Sequence, residues 1–182
     1  MDFYTQVGKM ALGSRLRRLS EQLTDDAAAV YKLYNVPLQP KWFPVFYVLS
    51  HGQDKTITAI AEEIGHSHPS VSTIIREMVN QGIVVEKKDK QDGRRNLVGL
   101  SKKGKDIQVN IARQYTDVNN AIEEAMSQAR YDLWKALEEW EFLLNRKSLL
   151  RRVQEQKKLR ESRDVQIVDY TPANQKAFQQ LN

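Results

Sequence analysis

The chain has 182 residues, 41% of them hydrophobic and 28% charged, enough to bury one sizeable core or two small ones. Its formal net charge is +5, and the absence of cysteine excludes disulfides, thiolate nucleophiles and thiol redox sensing. There is no run of ~18 uncharged apolar residues to span a membrane, and the opening MDFYTQVGKM lacks the pattern of a signal peptide, so a soluble, cytoplasmic protein is expected.

Residues 3 to 35 read as a helix in which Leu12, Leu16, Leu19 and Leu23 form an apolar stripe. Asn35-Val36-Pro37 stops it, because the residue before a proline disfavours helical backbone. KWFPVFYVLSHG follows, a short and nearly all-apolar core helix with Pro44 in its first turn and Gly52 at its end. Ile57, Ile60, Ala61 and Ile64 then share one face of a further short helix, which Gly65 ends. A turn passes through His66 and Ser67, and Pro69 suits the first position of the next helix. That helix carries Val71, Ile74, Ile75, Met78 and Val79 on one side, and Gly82 caps it. Two short helices joined by a tight glycine-containing turn make a helix-turn-helix signature.

Two apolar runs come next, Ile83-Val84-Val85 and Leu97-Val98-Gly99-Leu100, separated by a charged segment with Asp92-Gly93 as its turn signal. A helix-turn-helix followed directly by a hairpin predicts a winged helix, its strand ends anchored and its polar tip free. From Lys105 onward the chain reads as helix: Ile107, Ile111, Tyr115, Val118 and Ile122, then Leu133, Leu137, Trp140 and Leu144, keep core or coiled-coil spacing. The expected class is therefore mainly α with a small β-hairpin wing. A winged helix-turn-helix core spans about 41–104 within a first domain of 1–150. Residues 151–164 continue as a polar helix or linker, and 165–182 read as an extra strand and helix start.

Charge is sorted along this frame. Residues 86 to 105 hold eight Lys/Arg against three acids, residues 145 to 163 eight against two, and residues 117 to 141 seven acids against two bases. Basic blocks suit a polyanionic partner, although the 145–163 block also reads as ordinary solvated surface. On the recognition helix, Pro69, Ser72, Thr73, Arg76 and Asn80 face away from the apolar side, with His68 and Ser70 at its start. Small hydroxyls admit close approach to a groove floor; Arg76 can pair with guanine and Asn80 with adenine, or either can bind phosphate. On the wing, Arg94 and Arg95 project from a narrow finger suited to a minor groove, and Lys87 and Lys88 extend the basic surface. Asp92 either orients the Arg94 guanidinium or only serves the turn.

The stretch ITAIAEEIGHSHPSVSTIIREMVNQGIVVEKKDKQDGRRNLVGLSKKG resembles the winged-helix core of MarR-type bacterial transcription regulators. The most specific part is the Asp-x-Arg wing, Asp92-Gly93-Arg94, followed by a strand and a Ser-x-x-Gly helix start at Ser101 to Gly104. The resemblance covers roughly residues 5 to 150. It implies a homodimer built from N- and C-terminal helices, recognition helices in successive major grooves of double-stranded DNA, and wing arginines in the minor groove. It also implies release, in many members, by a small aromatic ligand. Tyr31, Tyr34, Trp42, Phe46, Tyr47 and Tyr115 could line such a site, with core packing as their alternative role. The tail DVQIVDYTPANQKAFQQLN looks like the opening of a GNAT-type acetyltransferase domain, so a second reading is the DNA-binding fragment of a bifunctional regulator and N-acetyltransferase. His51, His66 and His68 lack the partners for a metal site, and no catalytic constellation or cofactor-binding loop is present; the chain reads as a regulator and not an enzyme.

Overall fold

The computed structural model describes residues 2–89 and 92–163, together with the isolated positions 172 and 175. Apart from those two positions, the strand and helix start expected over 165–182 fall outside the described residues. The chain divides into two compact units, Met1–Ile122 and Glu123–Asn182.

In the first unit, the single helix expected over 3 to 35 is three pieces: α1 (Phe3–Val7), a 3-10 turn (Gly8–Ala11) and α2 (Leu12–Leu33). The break is made by Gly8, whose φ of 65 and ψ of −142 leave the helical region for one that a side chain resists. At its far end α2 stops short of the proline. Asn35 takes a left-handed φ of 53, and the Val36 N–H donates back to the Tyr31 carbonyl at 2.9 Å.

A 3-10 turn (Pro40–Trp42) leads into α3 (Phe43–His51), with Pro44 in its first turn as expected. The Thr56 hydroxyl caps α4 (Ile57–Glu63), accepting from the Ala59 N–H at 3.2 Å. Ser67 caps α5 (His68–Asn80) in the same way, accepting from the Ser70 N–H at 3.4 Å, which makes Pro69 the second helical residue and not the first. Gly82 closes the helix with a φ of 66.

The wing is an antiparallel pair, β1 (Val84–Lys88) and β2 (Asn96–Leu100), in a register that sets Val84 against Leu100 and Lys88 against Asn96. The pairing runs further into the charged segment than the apolar residues alone predict, because the backbone ladder continues where side chains face water. Lys55 adds a one-residue third member: its N–H donates to the Val98 carbonyl at 3.0 Å and its carbonyl accepts from the Val98 N–H at 2.8 Å.

The helix α6 (Lys102–Ser127) begins on the Ser-x-x-Gly pattern. The Ser101 hydroxyl accepts from the Gly104 N–H at 3.0 Å and donates to the Gly82 carbonyl at 2.6 Å, so one side chain caps α6 and ties it to the end of α5. Gly104 is required by space: a Cβ there would meet the Ile83 carbonyl oxygen at 2.3 Å. Phe46, Ile60, Val71, Ile75, Met78, Ile83, Val98 and Ile111 fill the core between these elements.

The second unit contains α7 (Leu133–Arg146) and α8 (Leu149–Arg163). Asp132 caps α7, its carboxylate accepting from the Lys135 N–H at 3.0 Å. At the other end the Arg152 guanidinium donates to the Lys147 and Leu143 carbonyls at 3.0 and 2.9 Å, satisfying the acceptors a helix end leaves open. The stripe Leu133, Leu137, Trp140 and Leu144 is exposed throughout, Trp140 by 49%. None of the described helices is long and apolar enough to cross a membrane. Among the described residues the class is mainly α with one two-stranded wing.

Candidate nucleic-acid interface

The recognition helix is sorted as its periodicity requires. Val71, Ile74, Ile75 and Met78 are buried, whereas His68, Pro69, Ser70, Thr73, Arg76 and Asn80 are exposed and Ser72 is half-buried. Val79, expected on the apolar side, lies at its edge and is exposed. Arg76 and Asn80 make no side-chain hydrogen bond or ion pair among the described residues, so both are free for an outside partner. The Thr73 hydroxyl is less free, since it donates to the Pro69 carbonyl at 3.0 Å.

On the wing, Arg94 and Arg95 are exposed beside the turn. The Asp92 carboxylate accepts from the Arg94 backbone N–H at 3.1 Å, and its carbonyl accepts from the Arg95 N–H at 2.9 Å. Of the two roles open to Asp92, the geometry realises the turn: the carboxylate grips the arginine's backbone and not its guanidinium. Arg95 approaches Asp89 at 4.0 Å, a long contact that leaves its head group in water. Lys88 is exposed, but Lys87 is not a free cation, because it pairs with Asp54. Asp54 also covers Gly99, where a Cβ would collide with its carboxylate, so this pair braces β2 from the side.

The aromatic residues gather mainly around Tyr115. Its ring lies 5.7 Å from Phe43 and 5.8 Å from Tyr47, centroid to centroid, and His51 stacks on Tyr47 at 4.1 Å. Phe46, Tyr31 and Trp42 are buried in the core, Phe46 completely. Burial pushes the Tyr31 phenol up to about 12 and, together with the nearby phenols of Tyr31 and Tyr47, raises that of Tyr115 further. The Tyr34 hydroxyl donates to Asp117 at 2.5 Å, and that bond, with some burial, raises its pKa. The Tyr115 hydroxyl and the Gln114 Oε1 atom are buried with no hydrogen-bond partner. A cleft of about 490 Å³ lies elsewhere, at the foot of the wing, among Leu49, Gln53, Asp54, Leu97, Lys105 and Gln108. None of the six aromatic candidates lines it.

Two residues of this surface escape sequence reasoning. Glu77 accepts from Lys41 and from the Trp42 indole, at 2.7 and 2.8 Å, and the two bonds hold its carboxyl below the usual range. Asp54 pairs across the fold with the wing. Each partner is more than 30 residues away in sequence, and no local pattern carries that signal.

A recognition helix with a polar outer face, followed by a hairpin with arginines at its turn, defines a winged helix-turn-helix protein. Residues 36–95 match the model of the MarR family. No curated protein matches the chain by sequence. Among solved structures, the chain is similar to the Staphylococcus aureus MepR–DNA complex at 17% identity and a TM-score of 0.55, covering 74% of this chain and 93% of that one. It is similar to the Streptomyces coelicolor PcaV regulator in complex with its natural ligand at 15% identity and a TM-score of 0.55, covering 75% and 92%. A MarR family regulator from Neisseria meningitidis aligns at 17% identity and a TM-score of 0.51, covering 88% and 99%. At these identities the likeness is one of fold.

Proposed function

We propose that the protein is a cytoplasmic, sequence-specific DNA-binding transcription regulator that acts as a homodimer on a pseudo-palindromic operator. The observation that carries this reading is the pairing of an unengaged recognition face, Arg76 and Asn80, with the exposed arginines Arg94 and Arg95 beside the wing turn. A helix of that composition reads base edges in a major groove, and an arginine finger suits the adjacent minor groove. Two such units set by a twofold axis read half-sites about 10 bp apart. The dimer is supported by apolar stripes that single-chain packing leaves in water, Leu12, Leu16, Leu19 and Leu23 on α2 and Leu133, Leu137 and Trp140 on α7. The MepR structure, named as a DNA complex, supports a duplex as the partner for this fold.

A small aromatic effector is the second half of the proposal. Its support is the unpartnered Tyr115 hydroxyl and Gln114 Oε1, buried polar atoms whose isolation is costly and which a ligand's polar group would satisfy. Genomic binding-site selection with the purified chain, repeated with aromatic carboxylates and phenols, tests both halves. Enrichment of an inverted repeat, abolished on adding one compound, is the expected result. Recovery of fragments without a shared motif would overturn the operator, and a motif that no compound displaces would overturn the effector.

A further inference from the structure

One acidic side chain sits where a surface meeting a polyanion should carry none. Glu77 lies about 40° around α5 from Thr73 and about 60° from Asn80, on the border between the outward face and the core. Its carboxylate is held from a different part of the fold. Lys41 donates to it at 2.7 Å, and the indole N–H of Trp42 donates at 2.8 Å. Both donors belong to the 3-10 turn Pro40–Trp42, which joins α2 to α3. Trp42 is only 3% exposed, so its indole is a fixed point and the carboxylate bound to it is fixed too. Rotation of α5 about its own axis would break both bonds.

A negative charge beside bound phosphates weakens attraction to any duplex, whatever its sequence. Keeping one at this border is sensible if it gives something that general attraction cannot. From these contacts we infer that Glu77 is a positioning residue of the DNA-binding surface. Anchored by Trp42 and Lys41, it sets the rotation of α5 so that Arg76 and Asn80 reach base edges together, at the expense of general affinity for phosphate. The inference rests on the DNA-binding reading above, and it makes a demand that a plain stabilising contact does not. Removing Glu77 must narrow the gap between operator and non-operator affinity.

The test measures binding of wild type, Glu77→Ala, Glu77→Gln and Trp42→Phe to the selected operator and to a scrambled duplex of the same length, with a thermal melt of each variant. Glu77→Ala is expected to weaken operator binding at least about fivefold while the scrambled duplex binds as tightly as before or tighter. Glu77→Gln keeps a carbonyl acceptor for the indole and should bring the operator-to-scrambled ratio back to within about twofold of wild type. Trp42→Phe removes the donor without changing charge, so its ratio should fall with scrambled binding unchanged. An unchanged ratio in Glu77→Ala, equal weakening on both duplexes, or a Gln variant no better than Ala overturns the inference. If Glu77→Ala does not fold, the Gln and Phe variants decide the matter alone. A wild type that does not discriminate between the duplexes sinks the DNA-binding reading and this inference with it, whereas discrimination by wild type and Ala alike sinks the inference only.

Discussion

Gly104 and Arg76 illustrate two kinds of residue in this molecule, one fixed by space and one left open for a partner. A methyl group at Gly104 would press on the Ile83 carbonyl oxygen at 2.3 Å and on Leu100 side-chain carbons at 3.2 Å. The oxygen is backbone at the entry to the wing and cannot turn aside, so relief requires α6 to move. Gly104→Ala should therefore destabilise the fold by about 1–3 kcal/mol, read as a lowered denaturation midpoint in urea. A variant as stable as wild type would mean that α6 shifts freely there. Arg76 is the opposite case, exposed and without an internal side-chain partner among the described residues. Its replacement by alanine should leave the midpoint unchanged and remove at least ~1 kcal/mol of operator affinity. Unchanged binding in a fluorescence-anisotropy titration would remove Arg76 from the interface.

At the scale of elements, the wing joins two arginines to a frame that holds them out. The ladder from Val84–Leu100 to Lys88–Asn96 stiffens the finger, the Lys55–Val98 bridge fastens its base, and the Asp92 turn fixes its end. Exchanging Arg94 and Arg95 for Glu should abolish operator binding without loss of helical content. For a single-arginine variant that still binds, the slope of log affinity against log salt should fall by about 0.9 for each phosphate the variant no longer neutralises. An unchanged slope would assign phosphate neutralisation to other residues. These elements are largely legible in the sequence because their causes are local. Apolar residues at helical spacing mark α4 and α5, Asp92-Gly93 marks the turn, and Ser101 to Gly104 mark the start of α6. What stays hidden has non-local causes. That Lys87 pairs with Asp54, or that Glu77 reaches Trp42, depends on which segments the fold brings together, and no periodicity encodes it. Gly8 is intermediate: its effect is local, but a glycine in a helical pattern is often tolerated, and only its φ of 65 reveals the break.

At the scale of the whole molecule, reading a pseudo-palindrome requires two recognition helices at a fixed separation, and one chain supplies one. The α7 face, with Leu137 41% and Trp140 49% exposed, costs free energy in water that a second copy would recover. Neither side chain is buried within its own chain, so replacing both by Arg should spare the fold and oppose association, since two buried unpaired guanidinium groups per subunit carry a heavy desolvation penalty. If the proposed dimer forms through this face, sedimentation equilibrium should then report a monomer for the variant and a dimer for wild type. On a duplex with both half-sites the double variant should bind roughly a hundredfold more weakly, because the second half-site is no longer reached intramolecularly. On a duplex with one half-site the deficit should shrink, since avidity contributes little there. That difference separates a broken dimer from a damaged recognition surface, which would weaken binding to both duplexes alike. A variant that remains dimeric and grips the full operator as wild type does would show that this face is not where the two copies meet.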